Sequence, residues 1–395
     1  MKILFLALDV NLGTNRGDSV HTRNLAAFIA RPGHSVHLVV GANSRHPGLP
    51  GVDVSVPPGP GDLSVLSHVR KVARAFRPDV IYERRLSPKI GAAISTLSRK
   101  PFVVECNGIP EEEAAMQGRP IQMTPLRRAK AAIRLRLLRR AAAVVAVTPG
   151  LRDIVVERFG VSPSRVFVVG NGVDPALFRP LDRAKSRAAL GLPAGPLLCF
   201  VGNLVRWQGL EGLFDALSTT HEPLDLLLVG DGPDRERLRD SAKRFGILGR
   251  VRFVGEVRHE LVPLYIAAAD ACAAPFSSER NSKSGVSALK VVEYIACARP
   301  VVVTGVPGAT DLVEAYSCGI IVPPEDTGAL RLALERVVDD TSYAVAAIRA
   351  SDAIRDRGSW DHTASAVLKI LDGVVRDRTR GAAIRPTDQD RSMHS

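Results

Sequence analysis

Two successive series of short apolar runs constrain the fold of this 395-residue chain more than any other feature. The runs are rich in β-branched residues, and a segment of helical pattern separates each run from the next. The first series occupies residues 3–8, 36–40, 80–82, 102–105, 144–147 and 166–169, and the second occupies 197–201, 226–229, 251–254, 271–275, 301–304 and 320–322. Strands that alternate with helices form parallel sheets with helices on both faces. The sequence therefore predicts an α/β protein with two Rossmann-like, doubly wound domains in tandem.

The two series also place the domain boundary and the expected site. A junction is predicted after Asn171-Gly172-Val173-Asp174, so we expect an N-terminal domain over residues 1–178 and a C-terminal domain over residues 179–375. Residues 376–395 are polar, which predicts a disordered tail. Ligands of doubly wound sheets bind beyond the carboxyl ends of the strands, so the cleft between two facing domains is the expected site.

A net charge of +12 predicts that the protein favours anionic partners. Part of the excess lies in a helix predicted at residues 126–140, whose cations are Arg127, Arg128, Lys130, Arg134, Arg136, Arg139 and Arg140. This helix is either a solvated face with its stems packed on the sheet, or a peripheral contact with anionic lipid headgroups. Nucleic-acid binding is disfavoured, because no aromatic residues are interleaved with the cations.

The remaining composition favours a cytoplasmic protein. The five cysteines each lie in or beside an apolar run without paired spacing, which predicts buried, reduced thiols: Cys106, Cys199, Cys272, Cys297 and Cys318. Asp9 interrupts the apolar N-terminal run, which is typical of a first strand rather than a signal peptide. No apolar stretch is long enough to span a bilayer, so any association with the inner face of the membrane is expected to be peripheral.

The segment from Ser282 to Glu293 carries the clearest functional pattern. Small, turn-compatible residues at 282–285 precede a predicted helix, whose first N–H groups and positive dipole end can face an anion. Glu293 is expected about two turns inside that helix, where a carboxylate suits a ribose diol. The pattern predicts a binding site for a nucleoside diphosphate.

From Ser287 to Val303 the sequence, including Leu289-Lys290-Val-Val-Glu293-Tyr294, resembles the C-terminal signature of the retaining GT-B glycosyltransferases of family 4. The resemblance covers nearly the whole chain. It implies a GT-B fold, a final helix near Trp360 that returns to the first domain, and metal-independent transfer of a sugar from a nucleotide-sugar donor. Glu293 would be the second Glu of the family's Glu-x7-Glu motif, and Gly285 stands where the first would be.

The resemblance extends to the loops that follow other strands. Gly13 corresponds to the family's N-terminal glycine loop, and Gly232 to a strand-end turn that lines the cleft. Gly202 and Asn203 follow the first strand of the second series, at a predicted phosphate-facing loop. Family members commonly carry Arg at the position of Asn203 and Lys at that of Gln208.

The leaving diphosphate must be stabilised by a metal or by fixed dipoles and cations. No carboxylate pair suited to a divalent ion is evident, so we expect no metal. The backbone amides of Gly285, Val286 and Ser287 are expected to hold the diphosphate. Arg206, Lys283 and Lys290 are the cations expected to neutralise it.

On the acceptor or sugar side, Asn107 ends a predicted strand where the family often has His. An amide cannot titrate, so Asn107 is excluded as a general base. Retaining members of the family are thought to use the departing phosphate to take the acceptor proton. Glu105 is kept as a second candidate beside simple strand-end hydrogen bonding. His21 is either an acceptor contact or a packed residue at a helix start.

Together these patterns predict a retaining glycosyltransferase that uses a UDP-sugar or GDP-sugar and a sugar or lipid-linked acceptor, in glycan, glycolipid or cell-surface polysaccharide synthesis. Two alternatives stay open. One is a sugar-nucleotide epimerase of the same fold, which would need acid and base residues across the cleft. The other is a non-catalytic nucleotide-sugar-binding or scaffold subunit, which the departures at Asn203, Gln208 and Gly285 favour.

Overall fold

A computed structural model describes residues 1–45, 48–109, 112, 124–287 and 289–380. The first sheet has seven parallel strands in the order β3-β2-β1-β4-β5-β6-β7. They are β1 (Lys2–Ala7), β2 (Ser35–Val40), β3 (Val52–Ser55), β4 (Val80–Glu83), β5 (Phe102–Cys106), β6 (Ala143–Ala146) and β7 (Val166–Val168). The second sheet has six parallel strands in the order β10-β9-β8-β11-β12-β13. They are β8 (Leu197–Val201), β9 (Asp225–Val229), β10 (Val251–Gly255), β11 (Ala271–Ala274), β12 (Val301–Thr304) and β13 (Gly319–Val322).

Helices connect the strands and cover both faces of each sheet. Those of the first half are α1 (Gly17–Ala30), α2 (Asp62–Phe76), α3 (Lys89–Ser98), α4 (Pro125–Arg140) and α5 (Pro149–Glu157). Those of the second half are α6 (Arg183–Leu190), α7 (Leu210–Ser218), α8 (Arg235–Arg244), α9 (Val262–Ala268), α10 (Ser278–Ser284), α11 (Leu289–Ala296), α12 (Asp311–Tyr316), α13 (Thr327–Asp339), α14 (Thr341–Arg357) and α15 (Trp360–Arg380). The prediction of two doubly wound sheets is confirmed. Strand β3 was missed by the prediction, because it lies at the edge of the sheet and its two valines alternate with two polar residues.

Helix α15 packs on the first sheet although it follows the second in the chain. Its buried face, formed by Trp360, Ala364, Val367, Leu371 and Val374, belongs to the same apolar cluster as β1 and α1. Val374 is still part of this face, and the helix continues to Arg380, so it includes the first five residues of the predicted tail, 376–380. Residues 381–395 lie outside the described part of the chain.

The chain crosses between the two domains twice, near Val173 and again near residues 358–360, and these two segments lie side by side. The N–H of Val173 donates to the carbonyl of Gly358 over 2.9 Å, and the N–H of Trp360 donates to the carbonyl of Val173 over 3.0 Å. A Cβ on Gly172 would lie 2.5 Å from the nitrogen of Trp360, so only glycine permits this approach. The passages are therefore hydrogen-bonded to each other at one edge of the cleft.

The five cysteine side chains are buried, as predicted. Within the described ranges, no helix is long and apolar enough to cross a membrane.

Candidate functional site

A cleft with a cavity of about 290 Å³ lies between the two sheets. It lies beside the carboxyl ends of β8 and β11, where the strand order of the second sheet reverses. The first domain contributes residues 15, 17, 20, 107, 108 and 151, and the second contributes 201–203, 207–208, 259, 262, 276, 284–287, 289–290 and 293. The cleft therefore lies where ligands of doubly wound sheets bind.

One wall of the cleft is the loop 285–287 between α10 and α11. The sequence predicted that the helix carrying Glu293 begins after turn residues at 282–285. This is wrong, because residues up to Ser284 belong to α10, and α11 begins only at Leu289. Gly285 has a φ of +67°, and a Cβ there would lie 3.0 Å from the carbonyl oxygen of Pro307. The left-handed backbone ends α10, so Glu293 lies about one turn inside α11 rather than two. The missing Glu at 285 thus coincides with a backbone conformation that disfavours side chains.

The loop is also held by the first domain. The Thr148 hydroxyl donates to the carbonyl of Ser284 over 2.5 Å and accepts the N–H of Leu151, which caps α5. A Cβ on Gly150 would lie 2.3 Å from the carbonyl oxygen of Lys283. The start of α5 therefore fits closely against the wall of the cleft.

Glu293 lines the cleft and is 5% exposed. Among the described residues, its carboxylate has no hydrogen-bond or ion-pair partner. Burial raises the pKa of Glu293 to about 8, and Lys290 opposes the shift. A buried acceptor without a donor costs free energy, which a ligand with hydroxyl groups would recover.

Lys290 lies one turn before Glu293 on α11 and also lines the cleft. Its ammonium donates to Oε1 of Gln208 over 2.5 Å and lies 3.8 Å from the ring centre of Phe200. Burial lowers the pKa of Lys290 to about 7, with Glu293 opposing the shift. A Cβ on Gly202 would lie 2.8 Å from Nζ, so glycine at this strand end makes room for the ammonium.

A buried polar cluster lies behind the first-domain wall, around Glu105 at the end of β5. Its carboxylate accepts hydrogen bonds from Tyr82 and Asn107, lies 2.8 Å from Nε2 of His21, and lies 3.6 Å from Nε of Arg84. Burial opposes ionisation, but His21, Arg84 and Asn107 together lower the pKa of Glu105 to about 2. Such a weak base is unsuited to take a proton at neutral pH.

The cluster continues across the cleft through Asn171, which the sequence analysis used only to mark the domain junction. Its Oδ1 lies 2.6 Å from Nδ1 of His21, and its Nδ2 donates to Oγ of Ser287 over 2.5 Å. The His21 ring packs edge-on against Trp360, with ring centres 5.4 Å apart. Asn171 and Ser287 are 116 residues apart, so no local pattern could have linked them.

The structure does not bring all of the predicted residues to the cleft. Arg206 is exposed and lines a different pocket with Arg237, and Lys283 is exposed on α10, outside the lining. Gly13 is exposed and donates its N–H to Asn11, while Gly232 packs against Leu204.

The remaining predicted residues do line the cleft: Asn107, Gly202, Asn203, Gln208, Gly285, Val286, Ser287, Lys290 and Glu293. In the part of the chain that the structure describes, no group of three or more His, Cys, Asp or Glu side chains is placed to hold a metal ion.

Comparison with protein-family models gives a match in each half of the chain. Residues 16–177 match Glycosyltransferase Family 4, and residues 195–340 match Glycosyl transferases group 1. The chain is 26% identical over 246 residues to 2-deoxystreptamine glucosyltransferase of Streptomyces kanamyceticus, which covers 60% of this chain and 62% of that protein. It is 31% identical over 244 residues to D-inositol 3-phosphate glycosyltransferase of Acidothermus cellulolyticus, which covers 58% of this chain and 53% of that protein. The matches thus span between about half and two thirds of these relatives' lengths.

Solved structures resemble nearly the whole chain. Sucrose-phosphate synthase from Thermosynechococcus elongatus has a TM-score of 0.78 at 19% identity, and the match covers 97% of this chain and all of that chain. HepE from Anabaena, in complex with UDP and glucose, has a TM-score of 0.77 at 23% identity, and the match covers 94% of this chain and 99% of that chain. At these identities the likeness establishes the two-domain fold alone.

Proposed function

The chain belongs to glycosyltransferase family 4 and has the GT-B fold, and on that premise we propose that it transfers a sugar from a nucleotide-diphosphate sugar to an acceptor hydroxyl. One observation carries the proposal. Glu293 places a buried carboxylate without a partner among the described residues in a cleft between two doubly wound domains, beside the half-buried Lys290. This combination suits a ligand with a diol at one end and an anion at the other.

In the proposed donor complex, Glu293 accepts hydrogen bonds from the ribose hydroxyls, and the backbone amides of residues 285–287 face the diphosphate. Lys290 supplies the cation at the diphosphate, because Arg206 and Lys283 lie outside the cleft lining. The solved HepE complexes contain UDP, UDP with glucose, and UDP-glucose, which makes UDP the first nucleotide to test.

The proposed reaction keeps the anomeric configuration and uses no protein base. The bond from the anomeric carbon to the diphosphate breaks, and the acceptor oxygen bonds to the same face of that carbon. The acceptor proton passes to an oxygen of the leaving diphosphate. Two features support this route: Asn107 cannot titrate, and the donors around Glu105 hold its pKa at about 2.

The test is calorimetric titration of the protein with UDP, GDP and ADP, with and without EDTA. We expect one nucleotide to bind regardless of EDTA, and Glu293→Ala to abolish binding. Glu83→Gln is a matched control, because Glu83 is another buried carboxyl whose pKa burial raises to about 8, but it caps α3 away from the cleft. Binding that survives Glu293→Ala contradicts the donor site.

Turnover separates the enzyme from the non-catalytic alternative. The nucleotide-sugar of the base that binds is incubated with a panel of sugar and lipid-linked acceptors, and release of the nucleoside diphosphate is followed. Acceptor-dependent release supports the transferase. Tight binding without release from any acceptor favours the scaffold, and interconversion of the free nucleotide-sugar favours the epimerase.

We also propose that a basic face of the first domain rests on an anionic membrane surface. Helix α4 exposes nearly its whole length, since Leu138 is its one fully buried side chain among those described. Helix α3 packs against both α4 and α2. On α2, Arg70 and Arg74 lie one turn apart, and Arg77 follows at the C-terminal end of the helix. With Lys100 they line a pocket of about 410 Å³ whose apolar lining includes Ile94 and Leu97.

Charge complementarity supports a lipid surface as the occupant of this face. None of the side chains of these four cations has an ion-pair or hydrogen-bond partner among the described residues, so an anionic surface would supply the opposite charge that these residues do not. Leu97 and Ile133 are 58% and 53% exposed and can enter the headgroup region between the cations.

Co-sedimentation with phosphatidylglycerol and phosphatidylcholine vesicles tests the lipid contact. We expect binding to the anionic vesicles only, with a loss of at least tenfold in the triple variant Arg70→Gln, Arg74→Gln, Arg77→Gln. The control removes three exposed cations of the second domain, Arg239, Lys243 and Arg252. Equal losses in both triple variants would reduce the effect to net charge and refute the surface.

A further inference from the structure

Four side chains form a continuous polar chain from the core of the first domain to the cleft. Glu105 lies 2.8 Å from Nε2 of His21, Nδ1 of His21 lies 2.6 Å from Oδ1 of Asn171, and Nδ2 of Asn171 donates to Oγ of Ser287 over 2.5 Å. The first three belong to β5, α1 and the segment after β7, whereas Ser287 belongs to the loop of the second domain that lines the cleft.

The Asn171 amide sets the direction of hydrogen bonding along this chain. Its Oδ1 faces Nδ1 of His21 over 2.6 Å, and its Nδ2 faces Oγ of Ser287 over 2.5 Å. An amide oxygen can only accept, so the ring nitrogen that faces it donates. Glu105, 2.8 Å from Nε2, and the edge-on contact with Trp360 hold the His21 ring in this orientation.

The direction then passes through Asn171 to Ser287. An amide nitrogen can only donate, so Nδ2 of Asn171 gives a hydrogen to Oγ of Ser287. The Ser287 oxygen consequently accepts a hydrogen bond and keeps its own hydrogen free. Among the described residues, no acceptor is bonded to that hydroxyl.

We propose that His21 and Asn171 act as positioning residues that fix the Ser287 hydroxyl as a hydrogen-bond donor toward the cleft, where it binds the diphosphate of the nucleotide. The inference rests on the proposed function, because it takes the anion to be the diphosphate of the sugar donor. If the Asn171 amide were reversed, the chain would run in the other direction, and the Ser287 hydrogen would be spent on the Asn171 oxygen.

The experiment compares UDP with uridine, which lacks the diphosphate, by calorimetry on the full chain. A hydrogen bond to a charged group corresponds to a loss of about tenfold or more when it is removed, so Ser287→Ala is expected to raise the Kd for UDP by that factor and to leave the Kd for uridine unchanged. If GDP or ADP proves to be the nucleotide that binds, the same comparison uses that nucleotide and its nucleoside.

A double-mutant cycle tests the positioning role. Asn171→Ala is expected to weaken UDP binding in the wild-type background and to change it less than twofold in the Ser287→Ala background, because its effect passes through Ser287. If the increases in Kd caused by the two substitutions multiplied in the double variant, the inference would be overturned. Thermal melting of each variant identifies any that lose binding by unfolding, and Ser287→Thr, which retains the hydroxyl, is expected to restore most of the affinity.

The direction of the chain has its own readout in the 15N chemical shift of Nδ1 of His21. A hydrogen on Nδ1 is expected in the protein without nucleotide, and an Nδ1 that carries no hydrogen would refute the direction of the chain. Failure of wild-type protein to bind any nucleotide would count against the proposed function itself. UDP binding that Ser287→Ala leaves unchanged would count against the positioning role alone.

Discussion

Lys290→Met should reveal how the buried ammonium at the cleft controls donor binding. Methionine is close in length to lysine and can keep the contact with Phe200, but it carries no charge. Burial lowers the pKa of Lys290 to about 7 in the empty cleft. A bound diphosphate favours the charged ammonium, so its pKa in the complex is expected to rise toward its usual value.

The size of the pH effect follows from the protonated fraction of Lys290. About half of the molecules carry the ammonium at pH 7, and about one in a hundred carry it at pH 9. If only the charged form binds the diphosphate well, the Kd for UDP should rise roughly 50-fold over this range. The sign is fixed because binding takes up a proton, so affinity falls as pH rises.

Calorimetric titrations at pH 7, 8 and 9 with wild-type protein and Lys290→Met provide the assay. The variant should bind more weakly than wild type at pH 7 and show a flatter pH profile, so that the two Kd values converge near pH 9. A gap between the two proteins that stays constant from pH 7 to pH 9 would refute the reasoning.

Three other substitutions test the packing around the site and the core. Burial raises the pKa of Glu83 in the folded protein to about 8, above its value in the unfolded chain. The stability that the protonated carboxyl contributes is therefore lost as pH rises from about 4.5 to 8. The Tm of Glu83→Gln should accordingly rise relative to that of wild type by several degrees between pH 5 and pH 8. Gly150→Ala should displace the wall of the cleft and weaken UDP binding, whereas Gly249→Ala, where an added Cβ meets no atom within 4 Å, should not. Trp360→Ala should lower the free energy of unfolding by about 3–5 kcal/mol in urea titrations, and a loss below 1 kcal/mol would contradict the role of α15 in the first core.

The strands could be predicted from sequence because buried parallel strands are short, continuous apolar runs. Val301–Thr304 and Leu197–Val201 have the same bounds in the structure as in the prediction. Strand β3 has no such run, since Asp53 and Ser55 alternate with its two valines. Local composition therefore identified the central strands and missed an edge strand.

The site was predicted where a motif is local and missed where contacts are distant. Lys290 and Glu293 share one helix turn, so their common placement in the cleft follows from spacing alone. The break at Gly285 depends on the carbonyl of Pro307, and the direction in which Arg206 points depends on a short 3-10 turn. Neither is encoded by neighbouring residues, which explains why residues 282–285 were predicted to begin the helix that carries Glu293, and why Arg206 was expected at the diphosphate.

The return of α15 to the first sheet makes the second domain an insertion within the first. A nascent chain that has emerged only as far as residue 178 lacks Trp360 and the apolar face that covers β1 and α1. The first domain therefore cannot complete its core until the whole of the second has been synthesised, and a fragment ending at the junction would expose that surface to aggregation. Adding residues 360–380 as a separate peptide should restore the missing layer. During synthesis the second domain is therefore expected to complete its core before the first, which is the reverse of their order in the chain.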